Sequence, residues 1–202
     1  MKRNLLFSLL LLLFMNSCKQ IMLWNYGITR PKAETPESLL IFLAKLNQPA
    51  DEMYIFKDSA SYLRCMEDSI FHKNILNSMF FTKDGMLDQF KDSSICQWSA
   101  GYYIKSLKND TTYHVDRRYR YQDILSNFHS LRDQQRSLNA DSVYDFIAFV
   151  TWGKFAGKLN ERQFIADDFA SANWHARIRV VFLNCDAMKS WKLDKNRLLT
   201  FK

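Results

Sequence analysis

The four cysteines are the residues of this sequence best suited to covalent chemistry, because a thiolate can attack a disulfide, hold a metal or carry a lipid. They are Cys18, Cys65, Cys96 and Cys185. No two of them have the Cys-x-x-Cys spacing of a redox dithiol or a zinc site. The four histidines include no His-x-x-x-His pair. We therefore expect neither a metal site nor a cofactor.

Cys18 follows a short apolar segment at the N-terminus. Lys2 and Arg3 give the chain a positive start, and the apolar run extends from Leu5 to Met15. A helix needs about 20 residues to cross a bilayer, so this run is too short to be a transmembrane span. The pattern is typical of an export signal peptide.

The sequence Met15-Asn16-Ser17-Cys18 resembles a bacterial lipobox, with an apolar residue, a small residue and then the lipidated cysteine. Asn16 departs from the pattern, which has a small or β-branched residue there. The resemblance implies that residues 1–17 are a lipoprotein signal peptide and that Cys18 is the lipidation site. The protein would then be anchored in the bacterial cell envelope, at the outer membrane, on its periplasmic side or its surface. The alternative is an ordinary secreted protein in which Cys18 has no role.

Cleavage before Cys18 would leave 185 residues and lower the net charge from +7 to +5, because Lys2 and Arg3 are removed. An export signal argues against a nucleic-acid partner, although the chain is basic. A mild positive charge suits a protein held near an anionic lipid surface. We expect the membrane as a partner through the lipid anchor and a second envelope protein as another. The sequence leaves the oligomeric state open.

The other cysteines suit an oxidising compartment. A disulfide between Cys65 and Cys96 is possible there, and it would close a loop of about 30 residues. Cys185 ends the apolar run 180–184. This position favours a buried free thiol for Cys185.

The remaining residues predict a tether and a single domain. Residues 18–36 have mixed polarity and contain Pro31 and Pro36, as expected of a linker. Residues 37–202 are rich enough in hydrophobic and aromatic side chains to build a sizeable core. Apolar periodicity predicts an α/β domain in which helices and strands alternate. The predicted strands are 53–56, 78–82, 144–152 and 176–183, and the predicted helices are 36–46, 59–71, 93–107, 119–135 and 154–172, with a short one from residue 186.

The last of these elements form the clearest unit. A strand, a crossover helix and a second strand over residues 144–183 predict a parallel, right-handed βαβ unit. Asn160 is expected to mark a kink or a short break in the helix. Because the carboxyl ends of parallel strands open at one edge of a sheet, ligands tend to bind there.

That edge gathers side chains of different chemistry. Trp152, Gly153 and Lys154 follow the first strand, and Asn184 and Asp186 follow the second. An aromatic ring, a cation, an amide and a carboxylate would converge, which makes this edge the candidate site for a ligand or partner. The alternative is structural: Trp152 and Asn184 brace the fold, and Asp186 caps the last helix.

Residues 143–192 resemble the central part of the thioredoxin-like fold found in cell-envelope lipoproteins of Gram-negative bacteria. The resemblance rests on a strand running into Trp152, a long kinked helix, a second strand ending at Leu183-Asn184-Cys185-Asp186, and a helix holding Trp191. It implies a central mixed sheet with flanking helices.

The active motif of that family is Trp-Cys-x-x-Cys, and here Gly153 and Ala156 stand in place of the two cysteines. The family also has a cis-proline before its next strand, whereas this chain has no proline after Pro49. Both departures imply a domain without thiol–disulfide exchange, since no thiolate is available to attack.

These observations favour a lipid-anchored envelope protein with a redox-inactive domain, a binding or assembly role and no catalytic residue. Two alternatives stay open at this point. The protein could be an envelope thiol–disulfide oxidoreductase that uses Cys65 and Cys96, or an accessory lipoprotein of a secretion or peptide-export system.

Overall fold

The structure, a computed structural model, describes residues 25–87, 100–135 and 143–198. They form an α/β arrangement: one seven-stranded mixed sheet with flanking helices. The strands are β1 (Met53–Phe56), β2 (Ser78–Thr82), β3 (Gly85–Leu87), β4 (Val115–Asp116), β5 (Phe128–Ser130), β6 (Phe146–Trp152) and β7 (Ile178–Asn184). The α-helices are α1 (Pro36–Lys45), α2 (Ser59–Glu67), α3 (Ser69–Lys73), α4 (Ala100–Ser106), α5 (Tyr121–Leu125), α6 (Leu159–Phe164) and α7 (Ala166–Ser171).

The strand order is β4-β3-β2-β6-β7-β1-β5. β6 pairs with β7 in parallel, from Phe146 beside Ile178 to Trp152 beside Asn184, and β7 pairs with β1 in parallel. The other neighbours are antiparallel. The predicted parallel pairing of the two late strands is confirmed. Both strands are almost entirely buried, because neighbouring strands and helices cover them on every side.

A hydrophobic core lies on each face of the sheet. On one face Leu39 and Leu43 of α1 pack in the same cluster as Val150 and Phe182 of the central strands. The other core includes the aromatic side chains of Tyr54, Phe56, Tyr62, Phe81 and Phe149. The alternation of side chains along β6 and β7 supplies both cores.

Polar side chains cap the first two helices. Thr35 accepts a hydrogen bond from the Ser38 backbone N–H at 3.2 Å, and the Ser38 hydroxyl accepts one from the Thr35 N–H at 3.1 Å. Pro36 occupies the first turn of α1. Asp58 caps α2 by accepting from the Ser61 N–H at 2.7 Å. These bonds satisfy N–H groups that have no partner within the helix.

The predicted helix over 119–135 is wrong. Helix α5 covers only Tyr121–Leu125, and β5 follows and pairs with β1. Just after the helix, the Asn127 side chain donates to the Asp123 carbonyl at 2.7 Å. Phe128 then packs on Phe56 at a centroid distance of 4.3 Å. Tertiary packing therefore overrides the helical spacing of the apolar residues.

The crossover predicted as one helix over 154–172 is broken into three pieces. A 3₁₀-helix covers Lys154–Ala156, and α6 and α7 follow. The break lies at Gly157, whose φ of 55° is rarely adopted by other residues. Asn160, expected at a kink, lies in α6, and its side chain donates to the Gly157 carbonyl at 3.0 Å.

Other boundaries also shift. Of the predicted helix 93–107, Ala100–Ser106 is described as helical, and residues 88–99 lie outside the described residues. Residues 185–188 are not helical, and a 3₁₀-helix follows at Lys189–Trp191. The short strands β3 and β4 were not predicted. Within the described ranges, no helix is long and apolar enough to cross a membrane.

Candidate functional site

The structure brings all five predicted edge residues together where β6 and β7 end. Trp152 and Asn184 lie side by side in the register of the two strands. The backbone N–H of Lys154 donates to Asp186 Oδ2 at 2.7 Å, which joins the segments that follow the strands. Gly153 stands between them with its backbone bonded to Asn160.

Asp186 is the titratable group at the centre of this edge. Asn184 Nδ2 donates to Asp186 Oδ2 at 2.9 Å, and the Asp186 N–H donates to Asn184 Oδ1 at 3.0 Å. The residue is only 1% exposed, and Asp186 Oδ1 has no hydrogen-bond partner among the described residues. Burial raises the pKa of Asp186 to about 7. The carboxyl group therefore gains or loses its proton near neutral pH.

Trp152 is a core residue. It is fully buried, stacks on Phe42 at a centroid distance of 6.3 Å, and meets the edge of Phe164 at 5.6 Å. Its carbonyl accepts a hydrogen bond from the Cys185 N–H at 2.7 Å. These contacts match the alternative in which Trp152 braces the fold, because no face of the ring is open to a ligand.

The N-terminal segment, residues 26–34, lies across this edge of the sheet. These residues belong to the predicted tether, yet backbone hydrogen bonds join them to the residues that follow β6 and β7. The bonds run from Lys158 N to Tyr26 O (2.8 Å), Thr29 N to Phe155 O (2.8 Å), Glu34 N to Ala187 O (2.8 Å) and Lys189 N to Glu34 O (2.7 Å). The place where a ligand would enter is thus occupied by the chain itself.

Glu34 also binds the cation of the site. Lys154 Nζ lies 2.7 Å from Glu34 Oε2, and the Ser38 hydroxyl donates to the same oxygen at 2.6 Å. The Glu34 side chain is 15% exposed and that of Lys154 is 35% exposed. The charge that could attract an anionic ligand is therefore paired with a carboxylate of the same chain.

Asn160 fills the position beside Gly153. The Gly153 N–H donates to Asn160 Oδ1 at 3.2 Å, and Asn160 Nδ2 donates to the Gly153 carbonyl at 2.8 Å. The sequence indicated a break near Asn160 but not this pairing, and it gave no signal that Glu34 reaches Lys154. Both contacts depend on turns whose geometry the residue pattern does not show.

The described thiols lie away from solvent. Cys65 and Cys185 are buried, and neither forms a disulfide with a cysteine of the described residues. Burial raises the pKa of the Cys65 thiol to about 12 and that of the Cys185 thiol well above its ordinary value. Cys18 and Cys96 lie outside the described residues, so the lipidation site and the Cys65–Cys96 disulfide stay predictions. The expectation of a buried free thiol at Cys185 is confirmed.

Two further features lie outside the edge. Cys65 lines a cavity of about 160 Å³, whose other walls include Phe71, Phe81, Arg64 and Arg120. Within the ranges that the structure describes, no three His, Cys, Asp or Glu side chains form a group that could hold a metal ion.

Exposed apolar side chains lie at the opposite end of the parallel strands. Trp174, 85% exposed, stands four residues before β7. Val143 and Tyr144, 54% and 39% exposed, precede β6. This amino end of the strands therefore offers apolar surface, whereas the carboxyl end is closed.

Comparison with models of known protein families, with curated proteins and with solved structures gave no match.

Proposed function

We propose that this protein is a lipid-anchored protein of the bacterial cell envelope with a binding or assembly role and no thiol–disulfide exchange activity. The observation that carries the absence of exchange activity is the closed carboxyl edge, whereas the anchor is inferred from the sequence around Cys18. Glu34 and the rest of the N-terminal segment occupy the place where a ligand or a disulfide substrate would enter.

The burial and protonation of the described thiols also support the absence of exchange activity. Thiol–disulfide exchange begins with attack by a thiolate. With a pKa of about 12, Cys65 is almost entirely protonated at neutral pH, and Cys185 is buried. At the position of the family's first catalytic cysteine, Gly153 is instead bonded to Asn160 through its backbone.

We also propose that the domain is thioredoxin-like. Support comes from the parallel pair β6 and β7, the broken helix between them, and Trp152 at the end of β6. One feature departs from the family, which continues from this unit into a further strand. In this chain residues 185–198 contain two 3₁₀-helices, and the antiparallel neighbour of β6 is β2, which comes earlier.

The anchor is tested by labelling cells that express the full chain with a palmitate analogue. We expect label on the parent and on Cys65→Ala, and none on Cys18→Ala, which should accumulate as uncleaved precursor. Cys65→Ala is the matched control, because it removes a cysteine that lies outside the lipobox. If the parent carries no label, and the parent and Cys18→Ala are cleaved equally, the protein is not a lipoprotein.

The absence of redox activity is tested by insulin disulfide reduction with the purified mature protein. We expect no turnover above background. Turnover that disappears in Cys65→Ser or Cys96→Ser would instead favour the oxidoreductase alternative.

The binding role is tested by affinity purification from membranes solubilised in a mild detergent. The exposed Trp174 is our choice for the contact, since large aromatic side chains contribute strongly to interfaces. We expect Trp174→Ala to lose a partner that the parent retains, while Ile41→Ala, at an exposed position of α1, keeps it. If the parent and both variants recover the partner equally, Trp174 does not belong to the binding surface.

A further inference from the structure

We propose that the carboxyl edge of the sheet faces the membrane and binds anionic lipid headgroups. The contact is made by six basic residues, here called the basic rim: Arg30, Lys32, Lys158, Arg162, Lys189 and Lys192. The proposal rests on the lipid anchor proposed above, because the anchor determines which end of the domain lies near the bilayer.

The backbone places the basic rim around the N-terminal segment. Arg30 and Lys32 belong to that segment. Lys158 and Lys189 donate their backbone N–H groups to it, at Tyr26 and Glu34. Both lysine residues are exposed.

Arg162 contacts the N-terminal segment at Tyr26. Its guanidinium donates to the Tyr26 hydroxyl at 3.2 Å and lies 5.3 Å from the centre of the Tyr26 ring. Lys192 follows the 3₁₀-helix Lys189–Trp191, whose first residue contacts Glu34. Both residues are exposed, so their charges face solvent beside the segment.

The charge balance at this edge is positive. All six residues of the basic rim are exposed, whereas the exposed carboxylates on the same elements are Glu37, Glu161 and Asp194. Lys154 does not add to the balance, because Glu34 neutralises it. A surface with an excess of cations is attracted to anionic headgroups, and the attraction falls off over about 8 Å at physiological ionic strength.

The length of chain before the described residues favours lipid over other anions. Seven peptide units separate Cys18 from Asn25, and they span at most about 25 Å when fully extended. The N-terminal segment begins there and runs along the carboxyl edge. An acylated Cys18 would therefore hold the basic rim beside the bilayer, while an acidic protein would have to enter the same narrow space.

Lysine reactivity tests the proposal on the mature, acylated protein in vesicles. An amine-acetylating reagent is applied to protein in phosphatidylcholine vesicles with and without 30% phosphatidylglycerol, and mass spectrometry gives the rate at each lysine. Lys105 and Lys108 are internal controls, since they lie at the other end of the molecule. The Asn109 N–H donates to the carbonyl of His175, which stands just before β7.

We expect acetylation of Lys32, Lys158, Lys189 and Lys192 to slow about fivefold in the anionic vesicles, as one cation's attraction to such a surface would give. Lys105 and Lys108 should react at equal rates in both vesicles, and 0.5 M NaCl should abolish the difference. The double variant Lys158→Glu, Lys189→Glu should restore fast acetylation of Lys32 and Lys192. Lys105→Glu, Lys108→Glu, with the same change in net charge, should not.

Equal rates in the two kinds of vesicle, or equal slowing at Lys105 and Lys108, would overturn the membrane-facing edge while leaving the anchor intact. A mature protein without acyl chains would contradict the anchor itself, and mass spectrometry of the same sample reads this directly. Protection of the basic rim only after addition of an envelope extract would show that an acidic protein, and not lipid, covers it.

Discussion

Asp186 is a carboxyl group whose environment disfavours its charge. It is buried, and its hydrogen bonds from Lys154 N and Asn184 Nδ2 only partly replace water. Its pKa is about 7 in the folded chain against an ordinary value of 3.8. The folded state therefore binds a proton more tightly than the unfolded state does. This residue lowers the free energy of unfolding as pH rises from about 4 to 7, and the loss persists above pH 7.

Asp186→Asn should remove that pH dependence. The amide oxygen can still accept from the Lys154 N–H, and the side chain no longer ionises. We expect the free energy of unfolding of the parent to fall by about 2 kcal/mol relative to the variant between pH 5.5 and 8. Urea denaturation at several pH values measures the difference. His129, whose pKa burial lowers, cancels in the comparison because both proteins contain it.

Asp194→Asn is the matched control, because Asp194 is exposed. It should leave the pH dependence of the parent unchanged. Parallel stability curves for the parent and Asp186→Asn would mean that Asp186 is ionised without penalty, and the buried network described at this edge would then be wrong.

At the scale of elements, Gly157 determines how closely the N-terminal segment approaches the crossover. Its φ is 55°, and a Cβ at this position would clash with the carbonyl oxygens of Tyr26 and Gly27. Both the turn and the contact therefore require glycine.

Gly157→Ala should displace the segment and lower the free energy of unfolding by about 1–3 kcal/mol, from backbone strain and the lost contact. Faster tryptic cleavage after Arg30 or Lys32 would report the displacement. Gly27→Ala is the control: φ is also positive, at 64°, but no atom lies within 4 Å of the added Cβ. It should cost stability without the same increase in cleavage. If both variants are cleaved alike, the close approach at Gly157 does not hold the segment.

The sequence predicts best the strands in which buried residues follow one another along the chain. The predicted strands 53–56 and 78–82 match β1 and β2, and the late parallel pair matches β6 and β7 within two residues. The helix predicted over 119–135 failed because Phe128 is equally suited to a helix face and to a short strand. Its contact with Phe56 decides for the strand, and that contact joins residues far apart in sequence.

The sequence predicts which residues form the candidate site, but not that the N-terminal segment closes it. Topology alone brings Trp152 and Asn184 to one edge, because parallel strands end together. Whether that edge is open depends on a segment more than 100 residues earlier, since Glu34 pairs with Lys154. Nothing in the spacing of residues 26–34 indicated that they would pack on the domain, and their mixed polarity is equally typical of a tether.

For the whole molecule, the two ends of the parallel strands differ in character. The carboxyl end is closed by the N-terminal segment and surrounded by cations. The amino end exposes Trp174, Val143 and Tyr144. In the proposed arrangement the closed end faces the bilayer and the apolar end points away from it, where a protein partner can reach it.

The closed carboxyl edge is the central claim, and hydrogen exchange at individual backbone amides tests it most directly. The N–H groups of Thr29, Glu34, Lys158 and Lys189 form the four bonds between the N-terminal segment and the rest of the fold. We expect their exchange in the full chain to be slowed at least about 100-fold relative to an unstructured peptide, because exchange requires the segment to open. Exchange of all four at the rate of an unstructured peptide, with the amides of β6 still protected, would show that the segment does not cover the edge and that the site is open to ligands.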